Sequence, residues 1–185
     1  MNIGTRYQLV SKLAEGAEGI VYLARPVSAT HLVTIKAASK RLEQYRFDPH
    51  TLLHHSCSSL IHLEDVVEEE GMSYWIMEYC PRGDLCDYVM GQGRLSERQS
   101  RAIFLQLLEG LHYLHEQSLL HNDIKLENIV LREDGTIALI DFGFTSPLGE
   151  RYSPGFYGSI LYTSPEVLEG AQSISAKSDL WGAGV

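Results

Sequence analysis

Residues 121–130, HNDIKLENIV, set an amide beside a carboxylate, Asn122 and Asp123, then add Lys125, Glu127 and Asn128 before the chain turns apolar. These types at this spacing suit transfer of a group from a phosphate donor. Asp123 can orient or deprotonate a hydroxyl, Lys125 can neutralise a transferring phosphoryl group, and the amide of Asn128 can ligate a divalent cation. Further along stands DFG, comprising Asp141, Phe142 and Gly143. A carboxylate beside a cation-ligating amide fits Mg2+, which takes few protein ligands and fills its shell with water and substrate phosphates. Upstream, LAEGAEGIVY at 13–22 carries Gly16 and Gly19, which let backbone N–H groups approach phosphate oxygens closely. Lys36 lies inside the apolar run VTIK, where a buried ammonium is costly unless an anion stands near it. Each piece alone has a bland reading: a polar loop, an ordinary strand–turn–strand, a lysine snorkelling at a strand edge. Their order along one chain is what makes them specific.

The elements that must position these residues follow from periodicity. RYQLVSKLAEG, GIVYLARP and THLVTIKAA read as strands, and LIHLEDVVE and MSYWIMEY as two more joined by the hairpin turn EEEG. The run Glu68–Glu70 is a solvated turn that discourages edge pairing. The result is a small antiparallel lobe of five strands with one short helical segment. From residue 84 the period changes. Ser96 and Gln99 form a capping box that opens a helix, and Ile103, Leu107, Leu111 and Leu114 give that helix one buried face. NIVL and TIALI flank REDGT as a second hairpin. CPRGD, between the halves, is a connector, and its Arg82-Gly83-Asp84 triplet is not read as an adhesion motif.

Composition narrows the function classes. With 24 acidic against 15 basic side chains, the net charge of −9 argues against broad binding to nucleic acid or anionic lipid. No apolar run reaches membrane-spanning length, and the N-terminus has neither a secretory core nor a myristoylation pattern. Cys57, Cys80 and Cys86 form no CxxC spacing and read as reduced structural thiols, so the expected compartment is the cytoplasm or nucleus. His50 and His54 lack a third ligand and read as an exposed face, not a metal pair.

Taken together, the pieces resemble the eukaryotic protein kinase family, serine/threonine type, over Tyr7 to Val185. The resemblance implies an α+β, two-lobed fold with an N-lobe at 1–78, a hinge at 79–84 and an incomplete, mostly helical C-lobe at 85–185. It implies ATP and Mg2+ as cofactors and a protein substrate with a Ser or Thr acceptor. Leu13, Ala14, Gly16, Gly19 and Val21 match the ATP-covering loop, and Lys36 the lysine on the α- and β-phosphates. MEYCPRGDL matches the hinge, with Met77 as gatekeeper, backbone groups of Glu78 and Cys80 at adenine, and Asp84 at ribose. Val130 supports adenine from below. Asp123 matches the catalytic aspartate, and Asn128 and Asp141 the metal ligands. Lys125 is the serine/threonine form of the loop, and Ser159, in GSILYTSPE, is expected to bridge Asp123 and Lys125. SDLWGAG matches the start of the central helix of the large lobe. KLEN resembles the calmodulin-dependent and AMP-activated-like groups, and Asp84 and Glu127 stand where basophilic members meet an arginine upstream of the acceptor.

Five departures from the family pattern are visible. Ala14 replaces the first loop glycine, and Thr34 replaces the small residue over adenine. Asp48, followed by Pro49, falls where a helix glutamate should pair with Lys36, with Glu43 as the fallback. Asn122 replaces the arginine that receives an activation-segment phosphate, so activity is expected not to need phosphorylation within 144–163, despite Thr145, Ser146, Tyr152 and Ser153. Finally, Val185 falls within the central helix, and the arginine that pairs with Glu166 is not in the chain. A buried, uncompensated carboxylate there is expected to cost about 3–5 kcal/mol. The chain therefore reads as a fragment of a longer kinase or a truncated product with exposed apolar surface.

Overall fold

The computed structural model describes residues 3–16, 19–150, 158–170 and 173–185. The chain divides into two compact units, one of residues 1–56 and 61–79, the other of residues 57–60 and 80–185.

The first unit opens on a single-turn helix, α1 (Ile3–Arg6), and is built on one antiparallel sheet. Its strands are β1 (Tyr7–Gly16), β2 (Gly19–Pro26), β3 (Val33–Ala38), β4 (Leu63–Glu69) and β5 (Met72–Glu78), in the order β1-β2-β3-β5-β4. Alternation along β3 sets the two faces. Val33 and Ile35 pack with Tyr7, Ala24 and Ile76 in a closed core. Residues paired directly across antiparallel strands share a face. The registers Val21–Lys36–Trp75 and Leu23–Thr34–Met77 therefore lie on the face opposite that core. The edge strand β1 is largely exposed and carries two register shifts. Glu70 and Gly71, both at positive φ, make the tight β4–β5 turn that EEEG predicts.

Between β3 and β4 the expected helical segment consists of two short 3-10 helices, Leu42–Gln44 and Pro49–Leu52. Asp48 starts the second by accepting from the His50 N–H at 3.0 Å, and Pro49 occupies its first position. Tyr45 anchors the segment to the sheet. Its hydroxyl accepts from Trp75 Nε1 at 3.1 Å and lies 3.2 Å from Ser73 Oγ, and the two rings are 5.1 Å apart.

The second unit is mainly helical, with α2 (Leu85–Gln92), α3 (Glu97–Glu116), α4 (Pro165–Leu168) and α5 (Ala176–Gly184). Ser96 and Gln99 form the expected capping box on α3, and Leu107, Gly110, Leu111 and Leu114 are its buried stripe. Between α3 and α4 run four short strands, β6 (Leu119–Leu120), β7 (Ile129–Leu131), β8 (Ile137–Leu139) and β9 (Ser146–Pro147). They pair as two hairpin-like ribbons, β7 with β8 and β6 with β9. Residues 57–60 pack here because Leu139 donates its N–H to Ser59 O at 2.9 Å and Arg132 reaches the Ser58 carbonyl at 2.8 Å.

One energetic expectation is corrected. Glu166 is exposed on α4 and solvated, so the penalty of an uncompensated buried carboxylate does not arise. Apolar side chains are exposed on the same unit, notably Leu161, Leu168, Leu180 and Trp181. Among the described residues, no helix is long and apolar enough to cross a membrane.

Candidate active site

In the second unit the polar loop after β6 is a closed network around one carboxylate. Asp123 is 3% exposed. Its Oδ2 accepts from Lys125 Nζ and from Asn128 Nδ2, both at 2.8 Å, and its Oδ1 accepts from the Ser159 N–H at 2.7 Å. Lys125 Nζ also donates to Ser159 Oγ at 2.9 Å, so Ser159 touches both partners of the ion pair. Asn128 Nδ2 donates a second bond to the Asp123 carbonyl at 2.8 Å. With the nitrogen so committed, the amide oxygen is the part of Asn128 left to face a ligand. Gly158 closes the network from above: a Cβ there would stand 2.4 Å from Asn122 O and 2.6 Å from Asp123 Oδ1. Only glycine allows that segment so near the carboxylate.

Burial alone would push the Asp123 carboxyl up. The hydrogen bond and charge of Lys125, with the Ser159 N–H and the Asn128 amide, outweigh it and hold the pKa below the ordinary aspartate value. A carboxylate depressed in the folded state contributes stability above its unfolded pKa and loses it as pH falls through the folded one. That window lies below about pH 4. Asp123 is thus ionised throughout the neutral range. Lys125→Met removes the principal lowering influence and leaves burial opposed only by the Ser159 N–H and the Asn128 amide. The pH titration of the Asp123 carboxyl, followed by carbon NMR, should move upward in that variant; an unmoved titration would refute the assignment.

The loop is fixed in place by two buried side chains. Asp179, on α5, accepts from the N–H groups of His121 at 3.0 Å and Asn122 at 2.8 Å, and lies 2.9 Å from His115 Nε2 on α3. His121 is fully buried, accepts from the Asp123 N–H at Nδ1 and donates from Nε2 to the Ile140 carbonyl at 2.9 Å. Its ring meets Phe142 edge-on at 5.6 Å. This ties Asp123 to the residues on either side of Asp141. Asp141 itself has φ +67, and its Oδ1 accepts from the Gly143 N–H at 3.2 Å. Thr145 and Ser146 are buried at 1% and 2% exposure, which withholds both from a modifying enzyme in this conformation. Tyr152 and Ser153 lie outside the described residues.

Asp84 caps α2, its Oδ1 accepting from the Asp87 N–H at 2.8 Å, and bridges to Val130, the half-buried member of β7. The Cys80 carbonyl accepts from the Gly83 N–H at 3.3 Å. In the first unit, Lys36 is half-buried on β3, in one row with Val21 and Trp75. Ala14 pairs with Val21, and Gly16 with Gly19. The two glycines differ in their reasons. A Cβ on Gly19 would stand 2.1 Å from Ala37 O, so packing against β3 demands glycine there, whereas a Cβ on Gly16 would meet nothing within 4 Å. Leu13 is exposed on β1. Residues 17–18 of the same loop lie outside the described residues. The Glu78 N–H donates to His62 O at 3.0 Å, and Glu78 Oε1 accepts from the His62 N–H at 2.9 Å.

The protein kinase domain family model matches residues 7–185. The chain belongs to the protein kinase domain family. It is 36% identical to NUAK family SNF1-like kinase 2 of Rattus norvegicus, over an alignment taking in 100% of this chain and 30% of that protein. It is 33% identical to NUAK family SNF1-like kinase 1 of Mus musculus, over 100% of this chain and 29% of that protein. To the maternal embryonic leucine zipper kinase of Danio rerio it is 32% identical, over 97% of this chain and 28% of that protein. The kinase domain sequence thus spans about three-tenths of the length of these relatives.

Against the kinase pattern, the second unit gathers Asp123, Lys125, Asn128 and Ser159 into direct contact. The first unit departs from that pattern at residues 38–62, where, among the described residues, no long helix follows β3. Asp48 is engaged at the turn it starts, and Glu43 is an exposed side chain 3.9 Å from Arg41. Gly158 and Asp179 escaped the motif reading although both sit inside quoted motifs. Gly158 stands next to Ser159, and Asp179 stands at the polar start of α5, just before the run LWGAG.

Proposed function

We propose that this chain transfers the γ-phosphoryl group of ATP to serine or threonine hydroxyls of protein substrates. The observation that carries the reading is the Asp123 network, in which a buried carboxylate, a lysine, a hydroxyl and an amide converge within hydrogen-bond distance. Asn128 and Asp141 supply hard oxygen ligands, too few for an all-protein cage and suited to an ion that shares its shell with phosphates. Bound Mg2+–ATP would supply the phosphoryl group and the positive charge over it.

The remaining work belongs to the protein. Asp123 accepts a hydrogen bond from the acceptor hydroxyl and aims its oxygen at the γ-phosphorus. As the new P–O bond forms and the bond to the ADP oxygen breaks, the hydroxyl proton passes to the Asp123 carboxylate. A carboxylate held below its ordinary pKa is a weak base, so orientation dominates and proton transfer comes late. Lys125 compensates negative charge on the equatorial oxygens, and Ser159 holds Lys125 and Asp123 at fixed spacing. Lys36 would hold the α- and β-phosphates. Leu13, Ala14, Gly16, Gly19 and Val21 would cover the nucleotide, and backbone groups of Glu78 and Cys80, with Asp84 and Val130, would meet its base and ribose. We take 1–78 as the N-lobe, 79–84 as the hinge and 85–185 as the C-lobe of this kinase domain. Free cysteines suit an intracellular setting.

The absence of a long helix within 38–62 favours a second reading, a pseudokinase that binds nucleotide or a partner without turnover. Phosphate incorporation into a generic basic protein from Mg2+–ATP separates the two. Label on serine or threonine is expected, unchanged after prior phosphatase treatment. An upstream arginine in the peptide should improve transfer, because Asp84, at the N-cap of α2, and the exposed Glu127 offer carboxylates to such a side chain. Nucleotide binding without transfer would establish the second reading in place of the first.

A further inference from the structure

Asn122 has no task in the reaction just described, yet its amide nitrogen is engaged within the same unit. Nδ2 donates to the Phe144 carbonyl at 2.9 Å and to Ser146 Oγ at 3.0 Å, and lies 3.5 Å from the Leu120 carbonyl. A carbonyl only accepts, so the amide nitrogen must face Phe144. The residue has φ +66, a left-handed conformation that asparagine adopts more readily than most side chains. Its two main acceptors follow Asp141-Phe142-Gly143 directly, and Ser146 pairs with Leu120 in the β6–β9 ribbon. One uncharged amide therefore joins the loop bearing Asp123 and Asn128 to the segment bearing Asp141.

We infer that Asn122 is a positioning residue for the metal site: its carboxamide, bonded to Phe144 O and Ser146 Oγ, holds the Asp141 segment in register with Asn128. The inference rests on the reading that Asp141 and Asn128 hold Mg2+. Ser146 Oγ is buried as the acceptor of the amide, so the segment is ordered by a permanent neutral contact between side chains of the same unit.

The test uses Asn122→Gly, which keeps the left-handed backbone and removes both bonds. Asn122→Asp keeps shape and backbone preference but offers only acceptors to two oxygens, and Ser146→Ala removes one acceptor. Mn2+ binding in the presence of a non-hydrolysable ATP analogue is titrated by electron paramagnetic resonance, alongside thermal unfolding. Asn122→Gly and Asn122→Asp are expected to weaken Mn2+ binding about tenfold, the lower end for residues that support a ligand from outside. Ser146→Ala should weaken it less. Mn2+ affinity equal to wild type in both Asn122 variants overturns the inference, as does a loss that merely follows a lowered unfolding temperature. Asp141→Ala, run in parallel, separates the two levels. If it binds Mn2+ like wild type, the metal reading fails and the inference with it; if it does not bind while the Asn122 variants are unaffected, only the inference fails.

Discussion

Exchanging Asp123 for asparagine is expected to lower phosphoryl transfer by about 10²–10⁴-fold, the range over which a positioned acid or base contributes. The reasoning starts from the donors that face this side chain. Lys125 Nζ, Asn128 Nδ2 and the Ser159 N–H all point hydrogens at the two carboxylate oxygens. An asparagine of the same shape must turn its NH2 toward at least one of them, so a donor meets a donor whichever way the amide is placed. Two losses follow together: the incoming hydroxyl has no anionic acceptor, and Lys125 loses the partner that fixes it beside Ser159. Because Lys125 spans Asp123 and Ser159, effects of substituting these residues should be strongly non-additive. Initial rates with Mg2+–ATP and a serine peptide measure this directly. A variant transferring phosphate at the wild-type rate would remove Asp123 from the mechanism, leaving the transfer to other residues.

What was legible in the sequence is what local chemistry encodes. The capping box at Ser96 and Gln99, the EEEG turn and the pairing of NIVL with TIALI depend on residues close along the chain, and all appear where their patterns put them. The segment around Asp48 was misleading for a physical reason. Its carboxylate had a nearer use, capping a short helix that Pro49 starts, and a proline at the first helical position favours a helix beginning there over one passing through. Glu166 was expected buried from the family pattern, yet whether a carboxylate is buried depends on what packs over it, and here water does. Asp179 and Gly158 were invisible for the complementary reason. Asp179 meets the Asn122 N–H across 57 residues of sequence, and Gly158 owes its identity to atoms of residues 122 and 123. No local period marks either contact.

Asp179→Ala is expected to destabilise the second unit by about 2–6 kcal/mol, since each buried donor left unsatisfied costs about 1–3 kcal/mol and two backbone N–H groups depend on it. That is a large share of the roughly 5–15 kcal/mol that holds an ordinary domain together. Asp179 is 1% exposed and receives the N–H groups of His121 and Asn122 together with His115 Nε2, so α3, α5 and the loop bearing Asp123 converge on one carboxylate. Alanine removes the one acceptor these three donors share. Asp179→Asn separates charge from shape: one oxygen still accepts, so its penalty should be smaller than that of alanine. Chemical denaturation ranks the three proteins, and amide exchange at His121 and Asn122 reports the loop itself. Exchange there should accelerate in Asp179→Ala beyond what its global stability explains, because these two amides lose their own acceptor. The Asp123→Asn protein, by contrast, should keep slow exchange at Asn122 while losing activity. If Asp179→Ala unfolded like the wild type, the loop would be held by something other than this carboxylate. The opposite result would place a main support of the loop bearing Asp123 on a buried carboxylate 57 residues away in sequence from the Asn122 N–H it accepts.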